Sequence, residues 1–261
     1  MASNLHLPVE ARSAFHRNLA NFYMTAQEHL LAVRQFNVAR KMAPIYLSRA
    51  YFLKEFAACL FLRRHYTKAA ELYLVAFRLD GGSQVGICAG DALLYSGHFA
   101  VATDTYQRAI EYAVLEKKTF DELEATLKSW LSDWVKEHYG FNQWTGKDCL
   151  SDRAIWMDVI DRSLDETCFE SALAAALMEG FLADGDEGLW ADAIAFAFNT
   201  KNDQLMIATL SCAIWRFGYD VYALFRGAMK DNGFPSIAIE RMDEIADSLV
   251  DQKKNHELKG F

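Results

Sequence analysis

Apolar and polar positions alternate with helical periodicity through the first 116 residues, and one detail of that pattern recurs. Residues 65–77, HYTKAAELYLVAF, place Ala69 and Ala76 on either side of Tyr73. Ala32, Phe36 and Ala39 repeat the order small, three residues, aromatic, two residues, small, and Ala102, Tyr106 and Ala109 repeat it again. The copies stand 37 and 33 residues apart, and no fourth copy of the triplet occurs. Three copies at near-constant spacing predict a repeated supersecondary unit. Positions i, i+4 and i+7 share one helix face, so the alanines let a neighbouring backbone approach while the aromatic fills the space beside them. One hairpin cannot bury such a face alone, and stacked hairpins can.

Each triplet follows an earlier helical stretch and a turn. Leu19, Ala20 and Tyr23 precede the first triplet and Pro44 follows it; Phe56, Ala57 and Leu60 precede the second; Ala89, Gly90, Leu93 and then Gly97 precede the third. The pattern resembles the tetratricopeptide (TPR) repeat, W-x2-L-G-x2-Y…A-x3-F…P over 34 residues. The first copy has His16 at the tryptophan position, and the later two lack the proline. The resemblance covers roughly residues 13–116 and implies an all-α fold. That fold is a TPR-type helical-hairpin solenoid of about three repeats in residues 1–116, followed by a helical C-terminal region in 117–261.

In TPR arrays the first helix of each hairpin lines a concave surface. Carried over by position, the resemblance implies a peptide-binding groove of Arg17, Asn21, Met24, Tyr51, Lys54, Ala58, Phe61, Leu62, Ile87, Asp91, Leu94 and Tyr95. That mixture suits a peptide with apolar anchors. TPR domains that grip acidic chaperone tails use a clamp of cations and amides. Arg17 and Asn21 match its first part, but Glu55, Gln84 and Cys88 at the later positions cannot supply the remaining amide and cations, and Glu55 would repel a carboxylate. Residues 66–82, YTKAAELYLVAFRLDGG, resemble the middle repeat of bacterial type III secretion chaperones for translocator proteins. That likeness implies a chaperone holding an extended segment of an aggregation-prone client.

Beyond residue 116 helix punctuation continues without the triplet. TFDE at 119–122 has the form of a capping box, and Phe120, Leu123, Leu127, Trp130, Leu131 and Trp134 make an apolar stripe as far as Gly140. Residues 140–152, GFNQWTGKDCLSD, read as the longest loop. Helices are expected near 152–164, 167–183, 188–199, 203–217, 219–231 and 236–251, with a polar, fraying end. They either continue the solenoid or pack as a bundle.

Composition narrows the function classes. Only Pro8, Pro44 and Pro235 interrupt the helix formers. The formal charge is −8 and Lys and Arg never run beyond a pair. A nucleic-acid partner is not expected, because phosphate neutralisation needs a concentrated basic face. No run of apolar residues is long enough for membrane insertion. The start, MASNLHLPVEARSAF, lacks the form of a signal peptide, and the five scattered cysteines contain no C-x-x-C pair. Both point to the cytoplasm and reduced thiols.

Candidate chemistry is sparse. DGDEG at 184–188 lacks the glycine and glutamate of a calcium loop, holding Leu189 and Ala195 instead, and reads as a turn and helix cap. His138, Asp148 and Cys149 form the nearest His and Cys grouping, with no nucleophile motif around them. Asp158, Asp161, Asp165 and Glu166 read as a solvated helix face and a cap. No P-loop, G-x-G-x-x-G, H-E-x-x-H or G-x-S-x-G occurs. The expectation is a non-enzymatic protein-interaction module without metal or cofactor. It would act as a chaperone or adaptor for a protein or peptide client, with homo-oligomerisation left open. The alternative is a regulatory or immunity-type protein that masks a basic partner with its acidic surface.

Overall fold

The computed structural model describes the backbone of residues 8–143, 153–182 and 186–259, and among them it is helical throughout apart from turns. The chain divides into two compact units, Met1–Asp121 and Glu122–Phe261. The first contains α1 (Val9–Thr25), α2 (His29–Met42), α3 (Ala50–Leu62), α4 (Tyr66–Asp80), α5 (Ser83–Tyr95) and α6 (Phe99–Glu116). They pair as three hairpins, α1 with α2, α3 with α4 and α5 with α6. All six alanines of the triplets are fully buried, and Phe36, Tyr73 and Tyr106 are buried between them. Tyr106 shows why its neighbours are small: a Cβ on Gly90 would lie 2.3 Å from its ring.

The hairpin turns are one structure used repeatedly. Gln27, Arg64 and Gly97 each adopt a positive φ, five residues before the first alanine of their triplet. The next backbone N–H donates to a carbonyl in the last turn of the first helix: Glu28 to Tyr23 at 2.8 Å, His65 to Leu60 at 2.9 Å and His98 to Leu93 at 2.9 Å. This is the Schellman closure, which satisfies otherwise orphaned helix-end carbonyls.

Positive-φ turns also punctuate the second unit, two of them closed in the same way. It contains α8 (Arg153–Asp165), α9 (Phe169–Leu182), α10 (Glu187–Asn199), α11 (Asp203–Phe217), α12 (Tyr219–Asp231) and α13 (Ser236–Lys259). Positive φ angles occur at Thr167, Lys201 and Gly233, between the helices of three further hairpins. Cys168 N–H donates to Ser163 at 2.8 Å and Phe234 N–H to Met229 at 3.0 Å. Counting back eleven residues from each turn residue gives Trp156, Trp190 and Tyr222, all essentially inaccessible. His16 stands at the same distance before Gln27. These three rings recur at the register position that His16 holds, so the second unit repeats the helical hairpins of the first.

The remaining helix, α7 (Thr119–Gln143), spans the division between the units. Thr119 is its first helical residue, directly after a Schellman turn at Lys117 and Lys118. The loop expected over 140–152 starts later, because α7 runs through Gly140 to Gln143; the rest of that segment lies outside the described residues. The end of the chain also differs from expectation. α13 stays helical to Lys259: no glycine or proline interrupts it, and the Lys253 Nζ donates to the Ile214 carbonyl at 3.5 Å.

Candidate functional site

The first-helix surface of the first two hairpins is anchored by Arg17 on α1. Its Nε donates to Glu55 Oε2 at 2.8 Å, and its terminal nitrogen completes a fork on Oε1. The guanidinium also lies over the Tyr51 ring, 4.6 Å from its centroid. Hydrogen bonding to Glu55 raises the Arg17 pKa further and keeps the group charged. Glu55 therefore has a local partner, and the arginine matching the first part of an acid-tail clamp is already engaged by a carboxylate of the same unit.

Along α3, Tyr51, Lys54, Ala58 and Leu62 form one stripe, since steps of three and four residues return to the same face. Tyr51 and Leu62 mark its ends and are 44% and 55% exposed. Lys54 and Ala58 between them are half-buried. Eleven residues of helix separate the two apolar ends by about 16 Å. Asn21 and Met24 on α1 are half-buried.

Phe61 belongs to a cluster of three rings. It meets Tyr66 edge to face at 5.1 Å and Tyr95 at 5.9 Å, while Tyr66 and Tyr95 lie 5.5 Å apart. Tyr66 and Tyr95 are buried and Phe61 remains half-buried. Tyr66 is the ring that sequence reasoning passes over, because it opens α4 outside the triplet. Its one available signal is its place beside the turn at Arg64.

The third hairpin departs from the expected groove. Ile87, Leu94 and Tyr95 are buried, so α5 presents little apolar surface to a partner. Asp91 accepts a hydrogen bond from the Tyr106 hydroxyl at 2.7 Å, which ties it to the scaffold ring of its own hairpin. The accessible apolar surface among the expected groove residues thus lies on α1 and α3, most fully at Tyr51 and Leu62 and in part at Met24, Ala58 and Phe61.

Elsewhere, the described residues hold no group of three or more His, Cys, Asp or Glu side chains placed for a metal ion. His138 stacks on Trp134 at 4.3 Å and donates to its carbonyl at 2.9 Å; Asp148 and Cys149 lie outside the described residues. Asp186 caps α10, accepting from the Leu189 N–H at 3.1 Å and binding Arg153 at 2.8 Å, in line with a cap at that motif, whose Asp184 and Gly185 lie outside the described residues. Asp158, Asp161, Asp165 and Glu166 are exposed. Cys59, Cys88, Cys168 and Cys212 are free thiols, and burial pushes Cys59 up to about 11. Cys168 is exposed at a hairpin turn, unlike buried Cys59 and Cys212. Among the described residues no helix is long and apolar enough to cross a membrane.

No protein-family model and no curated protein matches the chain. Among solved structures, it is similar to the C-terminal part of a TPR repeat-containing protein from Cytophaga hutchinsonii. The likeness has 15% identity and a TM-score of 0.38, over 89% of this chain and 92% of that one.

Proposed function

We propose that the chain is a protein-interaction module holding a partner segment along the first-helix surface of its first two hairpins. The carrying observation is the α3 stripe, where Tyr51 and Leu62 stay exposed on one face while the residues behind them build the hairpin. A stripe of that length fits a short extended segment, or about three turns of helix, bearing two apolar anchors. Arg17 and Glu55 neutralise each other beside it, so apolar contact dominates and recognition of an acidic terminus is disfavoured.

A chaperone or adaptor role is the finer form of this reading. The run at residues 66–82 supports the repeat more than a client, because Ala69, Ala70, Tyr73, Ala76 and Phe77 are all buried in hairpin packing. The test is retention of a partner by full-length protein, with Tyr51→Ala and Leu62→Glu variants whose helicity matches the parent. Loss of the partner in both variants, with parental binding persisting in about 0.5 M salt, supports the groove. Retention by both folded variants overturns it, and binding that disappears with salt favours masking of a basic partner by the acidic surface.

A further inference from the structure

The C-terminal ends of α2, α4 and α6 meet along one edge of the first unit. The turn at Arg64 folds α3 back on α4, so Arg49 and Leu79, each fifteen residues from it, lie at the same end. Tyr46 stacks on Phe52 at 4.6 Å and pins the α2–α3 linker to that end of α3. The end of α6 is joined to the same place. A Cβ on Gly81, just after α4, would lie 3.0 Å from the Tyr112 ring, and the Ser83 hydroxyl donates to Glu116 at 2.8 Å.

Turns and helix ends are ordinarily filled by Gly, Pro, Asn, Asp and Ser, yet this edge is studded with large apolar side chains. Ile45 and Leu47 are exposed on either side of buried Tyr46, and Leu79, Val114 and Leu115 are exposed at the ends of α4 and α6, Leu115 to 78%. The opposite edge, made by the turns at 26–28, 63–65 and 96–98, exposes no large apolar side chain. Cations flank the apolar tips. Lys41, Arg49, Arg78 and Lys117 are exposed, and among the described residues none of the four is in an ion pair. Glu116, by contrast, is already engaged by Lys118 at 2.9 Å and by Ser83. Residues 1–121 carry 14 Lys and Arg against 10 Asp and Glu, so the acidic excess of the chain lies beyond this unit.

We propose that this edge docks on an anionic lipid surface. The apolar tips reach the boundary between headgroups and acyl chains, and the four cations meet lipid phosphates and carboxylates. A bilayer suits the arrangement because tips from three separate helix ends enter a fluid surface together without needing a cleft of matching shape. Nothing has to cross the membrane. Neither signal suffices alone, since the apolar contact is small and charge attraction fades within a Debye length. Docking is therefore reversible and needs both.

Co-sedimentation of the full chain with vesicles is the test, using neutral phosphatidylcholine vesicles and vesicles with about 30% phosphatidylserine. The protein should sediment with the anionic vesicles and not with the neutral ones, and about 0.5 M salt should release most of it. An Ile45→Ser, Leu115→Ser variant and a Lys41→Gln, Arg49→Gln variant, each of parental helicity, should bind about tenfold more weakly or worse. Leu62→Glu, at the other end of α3, should bind vesicles like the parent, which separates this edge from the groove. No binding to anionic vesicles overturns the proposal, as does equal binding to neutral ones or undiminished binding by either folded double variant. If the double variants lose a protein partner while the parent ignores vesicles, the edge is a protein contact and the lipid proposal fails.

Discussion

The indole nitrogen of Trp190 donates to the carbonyl of Gly180 at 3.2 Å, and its ring fills the space where a side chain at 180 would begin. A Cβ there would lie 2.9 Å from that nitrogen. The junction between the second and third hairpins has the reverse arrangement, since a Cβ on Gly86 would lie 2.9 Å from the Phe77 ring. In repeat register Phe77 corresponds to Gly180, and Gly86 to Trp190. Each junction thus holds one aromatic and one glycine, on opposite partners. Gly180→Ala is expected to destabilise the fold by about 1–3 kcal/mol through overpacking, even though alanine favours a helix. In a Trp190→Leu background the same substitution should cost less. Urea unfolding of the four proteins measures the coupling, and additive effects would contradict the contact.

The recurring turn makes an opposed pair of predictions. Thr167 is a β-branched residue at φ 56°, and Gly97 holds the equivalent place at φ 80°. A left-handed conformation costs a non-glycine residue about 1–2 kcal/mol. Thr167→Gly should raise stability by roughly 1 kcal/mol, and Gly97→Thr should lower it by a similar amount. A Cβ at Gly97 meets nothing within 4 Å, so any loss there comes from the backbone. Thermal unfolding of both variants checks the signs.

Each half of the chain advertises its hairpins differently. In the first three the signature is the second-helix triplet, while the tryptophan position holds His16, Leu53 and Gly86. In the last three the rings Trp156, Trp190 and Tyr222 carry the signature, and the triplet is degraded; the residues after Ala172 at the triplet spacing are Ala176 and Glu179. A search for the triplet alone therefore ends at residue 116. Helix positions in the second half were still legible, because glycines and caps mark their ends. The groove was less so. Ile87 and Leu94 have the right register for a first-helix surface, but register does not report what packs over it.

Asp243 links α12 to α13. Arg226 donates to both its oxygens, at 2.6 and 2.8 Å, and the Tyr222 hydroxyl donates at 2.7 Å. Hydrogen bonding from Arg226 holds the carboxyl below its ordinary 3.8, against some desolvation and with help from Tyr222. A depressed carboxyl pKa adds stability above the unfolded value and loses it as pH falls through the folded one. Asp243→Asn should therefore lower the urea midpoint at pH 7, and its deficit should shrink as pH falls below about 4. A deficit independent of pH would mean that packing, not charge, is lost.

Arg17 gives a prediction about what the groove refuses. With one edge of its guanidinium forked on Glu55 and its face stacked over Tyr51, its charge is already countered before a second carboxylate arrives. A labelled peptide ending in several acidic residues and a free carboxylate should show no saturable binding by fluorescence anisotropy at up to about 100 µM. Glu55→Gln should recover weak, salt-sensitive binding by releasing the arginine. Tight binding by the parent would show that the ion pair opens readily.

Glu124 and Lys128 stand four residues apart on α7, the spacing that on an exposed helix face makes a solvent-facing ion pair. Both are instead buried, with 2.9 Å between Nζ and Oε1. Arg216 approaches the same carboxylate at 3.6 Å, and Lys128 Nζ lies 4.6 Å from the centre of the Phe181 ring. Burial alone would push the Glu124 carboxyl up, but Lys128 and Arg216 outweigh it and hold it below its ordinary range. An exposed i, i+4 pair is worth only about 0.3–0.5 kcal/mol, whereas removing one partner of a buried pair strands the other charge and costs about 3–5 kcal/mol. Lys128→Met should fall near the larger figure, with Arg216 offsetting part of it. Adding Glu124→Leu should restore much of the loss, because the stranded carboxylate disappears with its partner. If urea unfolding shows that Lys128→Met costs no more than an exposed pair would, Glu124 is solvated and α7 packs less closely against α9 and α11 than these distances require.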